Sequence, residues 1–266
     1  MKTVVITGSS RGLGLEMAIE FRRNGNNVII NEPCIENLEK AKATLEEIES
    51  EAKVYICSGD ITASGDIQKI IDYTVENCGN IDIWINNAGV NQPMKAIWEL
   101  EESEIDCLLN IDLRGTVMGS RLAMRQMCKQ GFGAIYNVEG YGSNDAMMLG
   151  LNMYGTTKRA VTHFTQAFAK ESEERKTGVI VGRLSPGIMI TEFITKALGN
   201  GEKIDLPEKT KKVYNILGDY PDVVAKFLVK NMLENTKNNA HIEWLTSKKA
   251  AFRFMTAGFN KRNFFA

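Results

Sequence analysis

The stretch TVVITGSSRGLGLEMAIEFRRNG (3–25) decides the fold. Its opening TVVIT is a run of β-branched residues, the composition of a strand buried on both faces. GLGLEMAIEFRRNG (12–25) then carries apolar residues at helical spacing, with Gly25 as a helix stop. Between the two, TGSSRGLG (7–14) sets Gly8, Gly12 and Gly14 in a G-xxx-G-x-G spacing at the strand–helix junction. Glycines allow a tight turn and close backbone approach, and the first N–H groups of a helix face an anion. Alone, such a loop is also an ordinary strand–helix turn. Its place after the first strand of a βαβ series makes it a phosphate cradle.

Outward from this unit the alternation continues. NVIIN (27–31) precedes IENLEKAKATLEEIESEA (35–52), and KVYIC (53–57) precedes a helix near 64–78. IDIWINNAG (81–89), GAIYNV (133–138), GVIVGRLSPG (178–187) and HIEWLT (241–246) read as further strands, with a long helix over 103–130 and another over 152–176. Apolar strands alternating with amphipathic helices predict an α/β fold, a doubly wound parallel sheet of about seven strands with helices on both faces. One domain over 1–246 is expected, with a substrate loop near 187–220 and a tail over 247–266.

Composition narrows the function. The 266 residues are 44% hydrophobic and 24% charged, with 32 basic against 33 acidic side chains and a net charge of −1. No field of one sign points to nucleic acid. Five cysteines, Cys34, Cys57, Cys78, Cys107 and Cys128, have no CxxC spacing, and the two histidines, His163 and His241, lie far apart. No metal site or disulfide framework is expected, and such thiols suit a reducing compartment. The strand in MKTVVITG (1–8) starts at once, so no signal or transit peptide is expected, nor is any apolar run near the ~18–20 residues of a membrane span. The expected location is cytoplasmic.

Two constellations carry chemistry. Glu32, ending the second strand, can bond both ribose hydroxyls of an adenosine, and Asp60, after the third, falls near the adenine. YGTTK (154–158) puts Tyr154 and Lys158 four apart, on one helical face, where the ammonium favours ionisation of the phenol. That pair suggests proton transfer. A second hydroxyl to hold the reacting oxygen is offered by Tyr141 or Ser143.

TGSSRGLG, NNAG (86–89), YGTTK and SPGIMIT (185–191), in this order, resemble the short-chain dehydrogenase/reductase family over nearly the whole chain. The resemblance implies a Rossmann fold binding NAD(H) or NADP(H), with Tyr154 as general acid/base and Lys158 on the nicotinamide ribose, lowering the pKa of Tyr154. It further implies a cofactor site formed by Gly8, Ser10, Arg11, Gly12, Leu13 and Gly14, then Glu32, Asp60 and Ile61, then Asn87, Ala88 and Gly89, and finally Pro186, Gly187, Ile188 and Thr191. A homodimer or homotetramer is implied as well, with the tail in subunit packing, over the pocket or at a membrane surface. NAD is expected over NADP, because Glu32 would repel a 2′-phosphate and Pro33 stands where an Arg would favour it; Arg11 argues the other way.

Residues 81–191 look most like the chlorophyll b reductase branch, which shares the acidic-Gly-x-Gly-Ser run seen in EGYGS (139–143). Two departures stand out. Asp112 occupies the place of a family Asn whose backbone carbonyl anchors a water leading to Lys158; its carboxylate would also strengthen the Lys158 charge or neutralise its effect on Tyr154. Tyr141 occupies the usual serine offset, so the catalytic hydroxyl is assigned to Ser143. AMMLGLNM (146–153) and GIMITEFITKAL (187–198) are rich in apolar side chains around the expected site. They favour a bulky apolar ring substrate, foremost a hydroxysteroid or bile acid, with a tetrapyrrole aldehyde as the alternative. A non-catalytic dinucleotide sensor is the remaining one.

Overall fold

Thr3–Thr7 (β1), Asn27–Glu32 (β2) and Val54–Ser58 (β3) lie on one side of a parallel sheet, and Ile83–Asn86 (β4), Gly133–Val138 (β5), Val179–Ser185 (β6) and Ala240–Glu243 (β7) extend the other. The order is β3-β2-β1-β4-β5-β6-β7. This computed structural model describes residues 1–191, 206–259 and 262–265. Because the strands are parallel, the loops after all of them open at one edge. The order reverses between β1 and β4, the crevice where such sheets bind ligands.

Alternation along the strands fills both faces. Val4, Ile6, Val28 and Ile30 pack against Gly12–Arg23 (α1) and Ile35–Glu46 (α2). Val5, Ile29, Trp84 and Ile135 point the other way, towards Ser64–Cys78 (α3) and the helix ending at Gln130. The helix expected over 35–52 stops at Glu46, because the buried Arg22 guanidinium takes the carbonyls of Ile48 and Ala52.

The long helix expected over 103–130 is broken in register. Glu102–Leu108 (α4) runs into a π-helical turn, Leu109–Gly115, before Thr116–Gln130 (α5) resumes. Such turns re-aim side chains and recur at functional sites. Asn152–Glu174 (α6) follows the β5 exit loop.

Among the described residues, three α-helices were not read from the sequence. Glu208–Leu217 (α7) lies within the expected substrate loop, Pro221–Glu234 (α8) packs Val224 and Leu228 into the α1 side of the core, and Ser247–Thr256 (α9) occupies the expected tail. The tail is not a separate appendage, since Thr246 caps α9 directly, its hydroxyl accepting the Lys249 N–H at 3.2 Å. Residues 192–205 of the expected substrate loop, including the end of GIMITEFITKAL, lie outside the described residues, as do 260, 261 and 266. No helix among the described residues is long and apolar enough to cross a membrane.

Candidate active site

The glycine loop is built from below. Asn87 donates its side-chain amide to the carbonyls of Thr7 (3.0 Å) and Gly8 (2.9 Å), and the N–H groups of Asn87 and Ala88 donate to the Thr7 hydroxyl at 3.0 and 3.1 Å. A Cβ on Gly8 would sit 2.7 Å from the Ala88 Cα, so the approach is too close for any side chain. Gly12 shows the opposite environment. Its φ is +57°, and a Cβ there would meet nothing within 4 Å. Open space over a left-handed residue at the start of α1 is the cradle a pyrophosphate would fill, so the residues present fit a dinucleotide.

Around it stand the other expected contacts. Ser10 donates its hydroxyl to the Glu32 carboxylate, whose second oxygen accepts from Asn37 at 2.6 Å. Glu32 is thus held at the end of β2 next to the glycine loop, with Leu13 buried behind it on α1 and Arg11 exposed. Asp60 is exposed, its carboxylate accepting the Thr62 N–H at 2.8 Å, and Ile61 is buried against Gly115. Beyond β6, Pro186–Thr191 is tied by Ile188 and Ile190 to the backbone of Asp219 at 3.0 Å each.

Tyr154 and Lys158 are both buried at the start of α6, with the Lys158 Nζ 5.6 Å from the Tyr154 ring centre. Gln92 accepts the Tyr154 N–H at 3.0 Å and so fixes the first turn of α6; no sequence signal pointed to it. Gly140 lies against the phenol, where a Cβ would collide with the Tyr154 hydroxyl. The Lys158 Nζ lies 3.9 Å from the Asp112 carboxylate, both side chains being almost wholly buried. Gly89 leaves room for this pair, since a Cβ there would sit 3.1 Å from Asp112 Oδ1 and 3.4 Å from Lys158 Nζ. Burial, then the Asp112 carboxylate, then Tyr214 push the Tyr154 phenol well above its ordinary range.

Two expected site residues have partners of their own. The Asp112 carbonyl, expected to anchor a water, accepts the Thr116 hydroxyl at 2.9 Å, and it is the Asp112 side chain that meets Lys158. Ser143, expected to polarise the substrate, gives its hydroxyl hydrogen to the Lys158 carbonyl at 3.3 Å and accepts the Gly140 N–H at 3.2 Å. A serine has one hydrogen to donate, and here it closes the loop. Tyr141 remains partly exposed.

Two buried carboxylates hold the β5, β6 and β7 exits together. Glu139 accepts from the hydroxyls of Ser185 and Thr162 (2.7 Å for the latter) and lies 3.1 Å from His241 Nε2 and 3.4 Å from Arg183. Burial raises its carboxyl, but the hydrogen bonds of His241, Ser185 and Thr162 outweigh that and hold it down at about 2. Asp219 accepts from the Trp244 indole at 2.7 Å, from Arg253 at 2.7 and 3.1 Å and from Arg262 at 3.2 Å. It joins the Pro186–Thr191 loop to α9 and the chain end. Neither role was legible beforehand.

Comparison with known proteins gives the same picture. The family model for short chain dehydrogenases matches residues 2–200. "Probable chlorophyll(ide) b reductase NYC1, chloroplastic" of Arabidopsis thaliana is 31% identical over 280 residues, covering 99% of this chain and 54% of that one. "Chlorophyll(ide) b reductase NOL, chloroplastic" of the same plant is 31% identical over 254 residues, covering 93% and 71%. The chain thus spans about half the length of the first of these curated relatives. The solved structure of levodione reductase superposes with a TM-score of 0.81 at 24% identity, over 94% of this chain and 98% of that one. With the glycine cradle, the Tyr154–Lys158 pair and the parallel sheet already in place, the match over residues 2–200 settles the assignment: the chain belongs to the short-chain dehydrogenase family of NAD(P)-dependent oxidoreductases.

Proposed function

We propose that the protein reduces a carbonyl on a bulky apolar ring substrate, a formyl-bearing tetrapyrrole being the first choice. One observation carries the substrate class. Met147 and Leu149, in the loop after β5, are 93% and 92% exposed, and Trp98 is 84% exposed. They are not core. Gly150 packs on the Met94 backbone, so the 146–150 loop meets the segment after β4 that carries Trp98. Exposed apolar clusters of this kind suit a large apolar ligand. The chlorophyll(ide) b reductase relatives support the tetrapyrrole; nothing in the comparisons supports the hydroxysteroid or bile acid.

NAD(P)H supplies the hydride when bound. Gly8–Gly14 would hold its pyrophosphate, Asn87–Gly89 and Pro186–Thr191 its nicotinamide half, and Glu32 its adenosine ribose. Tyr154 gives its proton to the carbonyl oxygen as the carbonyl carbon receives the hydride, and Lys158 steadies the resulting phenolate. The Glu32 carboxylate favours NAD, since it stands where a 2′-phosphate would bring like charge. The test is consumption of NADH and NADPH against chlorophyllide b, pterin aldehydes and steroid ketones. The proposal expects turnover with the formyl tetrapyrrole and NADH preferred; activity confined to the small or steroid carbonyls would reject the substrate, and equal use of NADPH the cofactor preference.

A further inference from the structure

The site contains a charge that proton transfer by Tyr154 does not require. Asp112 reaches the interior from the π-helical turn and is fully buried. One carboxylate oxygen accepts the Val90 N–H at 2.8 Å. The other has no hydrogen-bond partner and faces Lys158 Nζ at 3.9 Å. An Asn could hold Val90 just as well, through its amide oxygen. The scaffold therefore explains one oxygen, and the negative charge is left to act on Lys158.

We infer that Asp112 offsets the Lys158 charge and so keeps Tyr154 a neutral phenol, fitting the site to give a proton to a carbonyl rather than to take one from an alcohol. The inference rests on the assignment of Tyr154 made above. Lys158 from its own helix, Asp112 from the π-helical turn and Tyr214 from α7 face Tyr154. Lys158 and the Cys107 thiol of α4 face Asp112. Burial pushes both Tyr214 and Cys107 up, so they stay neutral, which leaves Lys158 and Asp112 as the facing cation–carboxyl pair at 3.9 Å. Burial, the largest influence, leaves the Asp112 carboxyl above its ordinary range, while Lys158 and the Val90 N–H act in the opposite direction and favour the ionised form. In the reductive direction the balance is simple. The O–H bond of Tyr154 breaks, its proton bonds to the substrate oxygen, the carbonyl carbon gains the hydride, and the phenolate regains a proton from solvent.

The experiment is an NMR titration of ring-labelled tyrosine in the cofactor-free protein, with the Tyr154 resonance identified by its loss in Tyr154→Phe. Tyr154 in the wild type should stay protonated past pH ~10, the ordinary tyrosine value. In Asp112→Asn it should titrate at least about one pH unit lower, and the acid limb of alcohol oxidation should move down equally, giving roughly tenfold more oxidation at neutral pH. A wild-type phenol titrating below about pH 8 would overturn the inference. So would an unchanged titration in an Asp112→Asn protein that folds and binds NADH normally. Should that variant not fold, the wild-type titration decides alone. Normal turnover by Tyr154→Phe would instead reject the proton-donor assignment, a separate failure.

Discussion

The two halves of the site are held together by different physics. The cofactor side rests on glycines and main-chain carbonyls held by one neutral amide: the Asn87 side chain grips the carbonyls of Thr7 and Gly8, and Gly12 leaves open space above α1. The substrate side rests on side chains that meet from distant segments, Glu139 with Ser185 and His241, Asp219 with Trp244, Arg253 and Arg262. Each part of the cradle is a short motif, TGSSRGLG or NNAG, although hydrogen bonds spanning 79 to 81 positions join the two. Buried ionic hubs are assembled across as many as 102 residues between Glu139 and His241, and each is exposed to the cost of losing one partner.

The comparison can be broken first at Glu139. Its carboxyl is held at about 2 against an ordinary 4.5, so its contribution is complete above pH 4.5 and is lost as pH falls towards 2. Unfolding free energy should drop across that window by about 3 kcal/mol more in the wild type than in Glu139→Gln. Parallel curves for the two proteins would show that the hub does not stabilise the fold. Asp219→Asn should come next, costing about 2 kcal/mol in urea unfolding, because two partly exposed arginines lose their shared carboxylate. Its NADH affinity should fall as well, through the Pro186–Thr191 loop.

Gly12→Ala should behave in the reverse manner. A Cβ at φ +57° meets no neighbour, so NADH binding should weaken by roughly tenfold, while the left-handed backbone costs about 1–2 kcal/mol of stability. An equal loss of NADH affinity at Gly12 and Asp219 would erase the distinction between the two sides. The smallest expected effect is at Ser143. With its hydroxyl engaged by the backbone of Gly140 and Lys158, Ser143→Ala should lower kcat by less than about tenfold, the scale of one neutral hydrogen bond. Tyr141→Phe should cost more. A loss of ~10²-fold at Ser143 would restore it as the oxyanion-type donor.

The same division explains what the sequence disclosed. β-branched runs and helical periodicity located all seven strands, because parallel strands must be apolar on both faces. TGSSRGLG, NNAG and YGTTK were legible because each packs its chemistry into a few consecutive residues. The π-helical turn was not, since a single widened turn leaves the apolar spacing of 103–130 nearly intact while turning the Asp112 carboxylate inward. α7 and α9 escaped because the helices bury no residue fully and read as loop and tail. Ser143 shows a related limit: counting residues through EGYGS fixes an offset in sequence, but not which partner a hydroxyl meets. Glu139 and Asp219 carry no signature, for their partners lie in other motifs.

The central claim is that Tyr154 transfers the proton and leaves cofactor binding to other groups. The most direct test measures carbonyl reduction and NADH binding side by side in the wild type and Tyr154→Phe. The account predicts a fall in kcat of ~10²–10⁴-fold with NADH affinity nearly unchanged, as expected for loss of a general acid. Turnover above about a tenth of the wild-type rate, or an equal loss of NADH affinity, would contradict it.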